Sequence, residues 1–117
     1  MSETKLYHNP RCSKSREALA YLQENGVAHE VVLYLQQPLS LDEVRALYRK
    51  LQLDNPRLMM RVKDDLYRDL GLQTASEDEL LQAIAEHSAL LERPILETAN
   101  AAAIGRPLDN IIALLNR

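Results

Sequence analysis

Hydrophobic and polar positions in the first third of the chain follow two different periods. Lys5-Leu6-Tyr7-His8 is a short strand candidate that stops at Asn9-Pro10, because proline cannot donate to a central ladder. Ser15, Ala18, Leu19 and Leu22 then recur at helical spacing between polar Arg16, Glu17, Gln23 and Glu24, and Gly26 sits where a C-cap glycine would. The run Glu30-Val31-Val32-Leu33-Tyr34-Leu35 is β-branched and almost continuously apolar, which predicts a strand buried on both faces. Strand, helix and strand within about 30 residues read as a βαβ unit. Such a unit makes its strands parallel and leaves the turn after the first strand at a carboxyl edge, where open α/β sheets place their chemistry.

From about Ser40 to His87 the pattern turns helical. Ser40-Leu41-Asp42-Glu43 and Ser76-Glu77-Asp78-Glu79 each set a serine three residues before a glutamate, the capping-box spacing that satisfies orphan amides reciprocally. Val44, Leu47, Tyr48 and Leu51 form one apolar stripe, and Leu80, Leu81 and Ile84 another; both read as core faces. Asn55-Pro56 predicts a break, followed by a helix over roughly Arg57 to Leu70 that Gly71 ends. Strand character returns at Arg93-Pro94-Ile95-Leu96-Glu97-Thr98, and Ala101 to Ile104, flanked by Gly105, completes a hairpin. Pro107 opens an amphipathic segment carrying Leu108, Ile111, Ile112 and Leu115. The expected class is α/β, a mixed sheet in the order βαβ, helices, ββα. The whole chain reads as one domain, 1–117, with a helical insertion at about 40–88 packed on the sheet.

Composition narrows the chemistry. With 117 residues, 46% of them apolar, the chain is long enough for a self-sufficient core. One cysteine excludes an intramolecular disulfide framework and a four-cysteine zinc site. The longest late apolar run, Ile111 to Leu115, is far short of the roughly 18 residues of a membrane span. The N-terminal Met1-Ser2-Glu3-Thr4-Lys5 lacks the features of a secretory signal, so a cytoplasmic protein is expected. A net charge of −3 and the absence of Phe and Trp argue against a nucleic-acid binder.

Candidate chemistry centres on Cys12, between a strand's end and a helix's start. There the unpaired amides and the positive end of the helix dipole favour a thiolate, and Arg11, Lys14 and Arg16 add charge of the same sense. Ser15, one turn on, can donate its hydroxyl to that thiolate. Ser15 also occupies the second position of a would-be Cys-x-x-Cys, so oxidation of Cys12 must be resolved by an external thiol. Ala18, six residues after Cys12, stands where a tyrosine-phosphatase loop needs its arginine. No spacing selects His8, His29 or His87 as the base of a cysteine protease. His8 and Cys12 alone are too few for a metal site, so none is expected. Gly26, Gly71 and Gly105 are too scattered for a phosphate-cradling or dinucleotide loop.

Tyr7-His8-Asn9-Pro10-Arg11-Cys12 with Ser15-Arg16, Leu33-Tyr34-Leu35, Met60-Arg61, Leu70-Gly71-Leu72, Arg93-Pro94-Ile95 and Gly105-Arg106-Pro107 resembles the glutaredoxin-linked arsenate reductase family. The likeness spans nearly the whole chain. It implies a thioredoxin-like fold with a helical insertion and a cis Pro94. It also implies that Cys12 attacks arsenate, that His8 tunes the thiolate and Ser15 hydrogen-bonds it, and that Arg61, Arg93 and Arg106 hold the oxyanion. Guanidinium forks suit that task, since they offer paired donors and a charge that pH does not remove. No bound cofactor is implied; glutathione would be the co-substrate and glutaredoxin the partner.

Ser13 and Lys14 depart from the small neutral residues that usually follow the cysteine in that family. Two rivals therefore stand beside the arsenate reading. One is a thiol-dependent reductase of another oxyanion or of glutathione mixed disulfides. The other is a redox regulator that binds a protein partner such as RNA polymerase; Ser15 weakens it, since such regulators usually switch through Cys-x-x-Cys.

Overall fold

The computed structural model describes residues 3–116. The chain forms two compact units, one made of the segments up to Gln37 and from Arg93 onward, the other of Pro38–Glu92.

The first unit holds a four-stranded sheet in the order β2-β1-β3-β4. β1 (Lys5–Tyr7) pairs in parallel with β2 (Glu30–Val32) through α1 (Ser13–Glu24), as a βαβ unit requires. β3 (Ile95–Glu97) runs antiparallel to β1, and β4 (Ala102–Ile104) completes the hairpin with Leu96 opposite Ala103. α5 (Asp109–Leu115) follows. Alternation along the strands sends Leu6 and Leu96 to one face, where they pack with Ala18 and Leu22 of α1 and Ile111 and Leu114 of α5. On the other face the Tyr7 hydroxyl donates to Glu97 Oε1 at 2.6 Å, which satisfies a buried carboxylate across adjacent strands.

The expected strand over Glu30–Leu35 is a correction. Only Glu30–Val32 is extended, and it is the sheet's edge, with Glu30 and Val31 exposed. The chain then turns over Leu33–Gln37, where the amides of Gln36 and Gln37 both donate to the Leu33 carbonyl. The apolar run reflects this turn, in which Tyr34 is buried while Leu35 points outward, 50% exposed.

In the second unit α2 (Leu41–Leu51) packs on α4 (Glu77–Glu86), and both capping boxes form, Ser40 with Glu43 and Ser76 with Glu79. The expected helix over Arg57–Leu70 does not form. A 3-10 turn, Pro56–Met59, gives way to an extended Met60 paired with Leu91, and only α3 (Asp65–Asp69) is helical. Non-local bonds explain the break: Glu92 N–H donates to the Met59 carbonyl and Arg61 N–H to that of Leu90. Arg57 donates through Nε to the Tyr67 hydroxyl and through Nη2 to the carbonyls of Leu72, Gln73 and Ala75. Gly71 stops α3 at φ +66°. Among the described residues no helix is long and apolar enough to cross a membrane.

Candidate active site

The turn between β1 and α1 is built by short polar side chains. Asn9 Oδ1 accepts the Arg11 amide at 3.0 Å, and the Cys12 amide donates to the Asn9 carbonyl at 3.0 Å. Arg16 Nη1 reaches back from the first turn of α1 to the Pro10 carbonyl at 2.9 Å. The Asn-Pro dipeptide signalled a turn, but this Arg16 clasp carries no local sequence signature.

Cys12 is the N-cap residue of α1, with extended backbone angles, and its side chain makes no capping bond. Its sulfur therefore lies at the end of the helix where unpaired amides and the positive dipole concentrate. Burial pushes the thiol pKa up. The backbone amides of Ser15 and Lys14 and the charges of Arg93 and Arg106 outweigh that, leaving the thiol below its ordinary value. Arg106 Nη2 donates to the sulfur at 3.3 Å, and Arg106 Nε donates to the Arg93 carbonyl at 2.6 Å. The neighbouring cations expected to act on the thiol do so differently. Lys14 contributes its amide, Arg16 is spent on Pro10, and the charges that matter come from two positions distant in sequence.

Ser15 is fully buried, and its hydroxyl faces His8 rather than the sulfur: Oγ lies 2.6 Å from His8 Nδ1 and accepts the Asn9 amide at 3.0 Å. The Ser15 hydroxyl thus links the Asn9 amide to the His8 ring. The group of Ser15 that favours the thiolate is its amide. His8 is itself buried, and burial together with the Arg16 charge lowers its pKa against the opposing Ser15 hydrogen bond. Its surroundings thus favour the neutral imidazole, which is linked to the nucleophile's helix through Ser15. His29 is directed to the Val27 carbonyl at 2.7 Å, and His87 caps α4 in the helical unit.

Arg93 and Arg106 each precede a proline joined by a cis bond, Pro94 and Pro107. Gly105 sits between these two segments, its amide donating to the Pro94 carbonyl at 2.8 Å. A β-carbon there would lie 2.6 Å from Ile111 Cδ1 and 2.8 Å from Pro94 Cγ, so any side chain at this position forces its neighbours to shift. Arg61 belongs to the helical unit, where Nη1 pairs with Asp64 Oδ2 at 3.1 Å.

A thiolate at a helix N-cap, with a guanidinium donor on its sulfur and a second cation beside it, is equipped for nucleophilic attack on an anion. The family model described as the ArsC family matches residues 7–114, a span that holds every one of these groups. The chain belongs to the ArsC family. The arsenate reductase of Neisseria meningitidis serogroup A is 56% identical over 98% of this chain and the whole of that protein. The arsenate reductase of Haemophilus influenzae is 47% identical over 94% of this chain and 97% of that protein. Among solved structures, the arsenate reductase from Vibrio cholerae superposes with a TM-score of 0.90 at 44% identity, covering 94% of this chain and 95% of the other. The ArsC fold is thioredoxin-like, as the family resemblance implied and in agreement with the βαβ and ββα order.

Proposed function

We propose that this ArsC protein is an arsenate reductase that works through a Cys12 adduct and draws its electrons from glutathione and glutaredoxin. The observation that carries the reading is the Arg106 guanidinium on the Cys12 sulfur, at a helix N-cap that lowers the thiol pKa. The names of its relatives support arsenate as the anion.

In this reading the Cys12 thiolate attacks arsenic in dihydrogen arsenate. One proton is taken up and one oxygen leaves as water, giving a Cys12–arsenate thioester-like adduct. Arg93 and Arg106 offset the oxyanion's charge, and Arg61 is the third guanidinium by its position in the family's pattern. Glutathione's thiol then replaces a second oxygen, its proton leaving in another water. A glutaredoxin thiol attacks the glutathione sulfur, forming a mixed disulfide and leaving the electron pair on arsenic, now arsenic(III); the thiol's proton passes to an arsenic oxygen. Water finally releases arsenite and returns the Cys12 thiol. The external thiols are required because the chain has one cysteine. Such chemistry suits a reducing compartment such as the cytoplasm.

A coupled assay with arsenate, glutathione and glutaredoxin tests the proposal on the wild type and Cys12→Ser. Turnover confined to the wild type is expected. Equal rates in the two proteins, or none above background, would reject it.

A further inference from the structure

The turn that replaces the end of the expected second strand creates a feature that the Cys12 chemistry leaves unused. Leu33, Leu35 and Gln36 face the nucleophile's own turn, His8 to Arg11, across a hollow of about 360 Å³. The volume lies at the lower end of the range for small-molecule sites, roughly 300 to 1,000 Å³, and fits a short peptide better than a protein surface. One wall is apolar, and Leu35 is half-exposed to water although it is a large aliphatic side chain. The opposite wall ends in Arg11, exposed, whose guanidinium makes no ion pair among the described residues. Gln36 supplies a side-chain amide beside Leu35, able both to donate and to accept.

We infer that this hollow is the subsite that holds glutathione for attack on the Cys12 adduct, with the glycine carboxylate on Arg11, a peptide amide on Gln36 and the cysteinyl methylene against Leu33 and Leu35. The inference rests on the reading of glutathione as co-substrate. Charge and shape both fit: the tripeptide is a net anion with a short apolar stretch at its reactive residue, and the hollow offers one cation beside one apolar wall. Reach fits as well. The wall of the hollow runs from His8 to Arg11 and so ends at the residue bonded directly to Cys12. In the step served, a sulfur–arsenic bond forms and an arsenic–oxygen bond breaks. The thiol proton departs with that oxygen as water, and no oxidation state changes.

S-methylglutathione, which binds without reacting, is the probe. Titrated into the isotope-labelled protein, it is expected to shift the amide resonances of Arg11, Leu35 and Gln36. Arg11→Ala, which removes one charge-assisted hydrogen bond, weakens binding by about tenfold or more. Leu35→Trp, which fills the hollow at a half-exposed position, has a similar effect. In the coupled assay both variants raise KM for glutathione by a similar factor, while KM for arsenate and the pH profile of Cys12 alkylation stay as in the wild type. Resonance shifts confined to other residues, or an unchanged KM for glutathione in both variants, would overturn the subsite. The two failures are separable. A wild type that binds S-methylglutathione in the hollow but never turns over arsenate rejects the proposed function and keeps the subsite; normal turnover with unaffected hollow variants does the reverse.

Discussion

Arg106 Nη2 stands 3.3 Å from the Cys12 sulfur although the two residues are 94 positions apart in the chain. The same guanidinium holds the Arg93 carbonyl through Nε, so one side chain both charges the site and fixes the backbone of its second arginine. Burial raises the thiol pKa, and the Ser15 and Lys14 amides with Arg93 and Arg106 lower it further than that. Arg106→Ala is therefore expected to move the inflection of Cys12 alkylation upward, toward the free-thiol value of about 8.5. Arg106→Lys keeps a charge and loses the fork, so its inflection falls between those of wild type and Ala while KM for arsenate rises. Alkylation rate against pH for the three proteins measures this, and coincident curves would remove Arg106 from the thiol's activation.

Gly105 joins the segments that carry both arginines. Gly105→Ala places a methyl 2.6 Å from Cδ1 of the buried Ile111 and 2.8 Å from Pro94 Cγ, so both the core side chain and the proline beside Arg93 must shift. Overpacking of this kind costs about 1 to 3 kcal/mol. The urea midpoint should fall accordingly, and kcat/KM for arsenate should fall with it, since the Arg93 loop must shift. An unchanged midpoint would show that the close approach relaxes freely.

Much of both units was legible because the signals are local: in the sheet unit a βαβ spacing, an Asn-Pro turn and a hairpin before Gly105, and in the helical unit two serine–glutamate capping boxes that both form. The failures have two causes, a local turn in one place and bonds between residues distant in sequence in the other. Leu33 and Leu35 carry strand propensity, yet the chain turns there, and an apolar run reads the same whether it extends or bends over a buried Tyr34. Arg57 to Leu70 has helical periodicity, but Met60 is claimed by Leu91 and the Arg57 guanidinium by three carbonyls beyond Gly71. At the site, the position of Cys12 at a helix start was readable. That Lys14 would act through its amide, and Ser15 through its amide on the sulfur and its hydroxyl on His8, was not, because sequence spacing does not say which way a hydroxyl points.

Burial of His8 beside the Arg16 charge makes stability depend on pH. His8 has a lowered pKa in the folded protein, so below the unfolded value of about 6.5 the unfolded chain binds more protons. Its contribution is complete above that pH and is lost as pH falls from there toward the folded value. Cys12, also lowered, shifts in the same sense but over a window that starts near its unfolded value of about 8.5. Urea unfolding in a Cys12→Ser background isolates the histidine. Stability should decline between about pH 7 and pH 5.5, and His8→Gln should flatten that decline. Parallel profiles with and without His8 would show that its protonation is not linked to folding.

Asp64 holds the guanidinium that the family's pattern assigns to the oxyanion. Arg61 Nη1 lies 3.1 Å from Asp64 Oδ2, and the Asp64 side chain, though at the N-cap of α3, makes no capping bond. The carboxylate is thus a competitor for Arg61 rather than a structural cap. An anion that needs the Arg61 fork must displace it, against a pair that is 36% and 29% exposed and so worth about 0.2 to 1 kcal/mol. Asp64→Asn removes the competing charge and keeps a side chain able to cap α3. KM for arsenate is expected to fall by up to about fivefold, the factor equivalent to 1 kcal/mol, with the Cys12 alkylation profile unchanged. Arg61→Ala should raise KM and abolish the effect of Asp64→Asn in the double variant. If Asp64→Asn leaves KM where it was while Arg61→Ala raises it, the ion pair does not compete with the anion; if neither variant changes KM, Arg61 takes no part in binding arsenate.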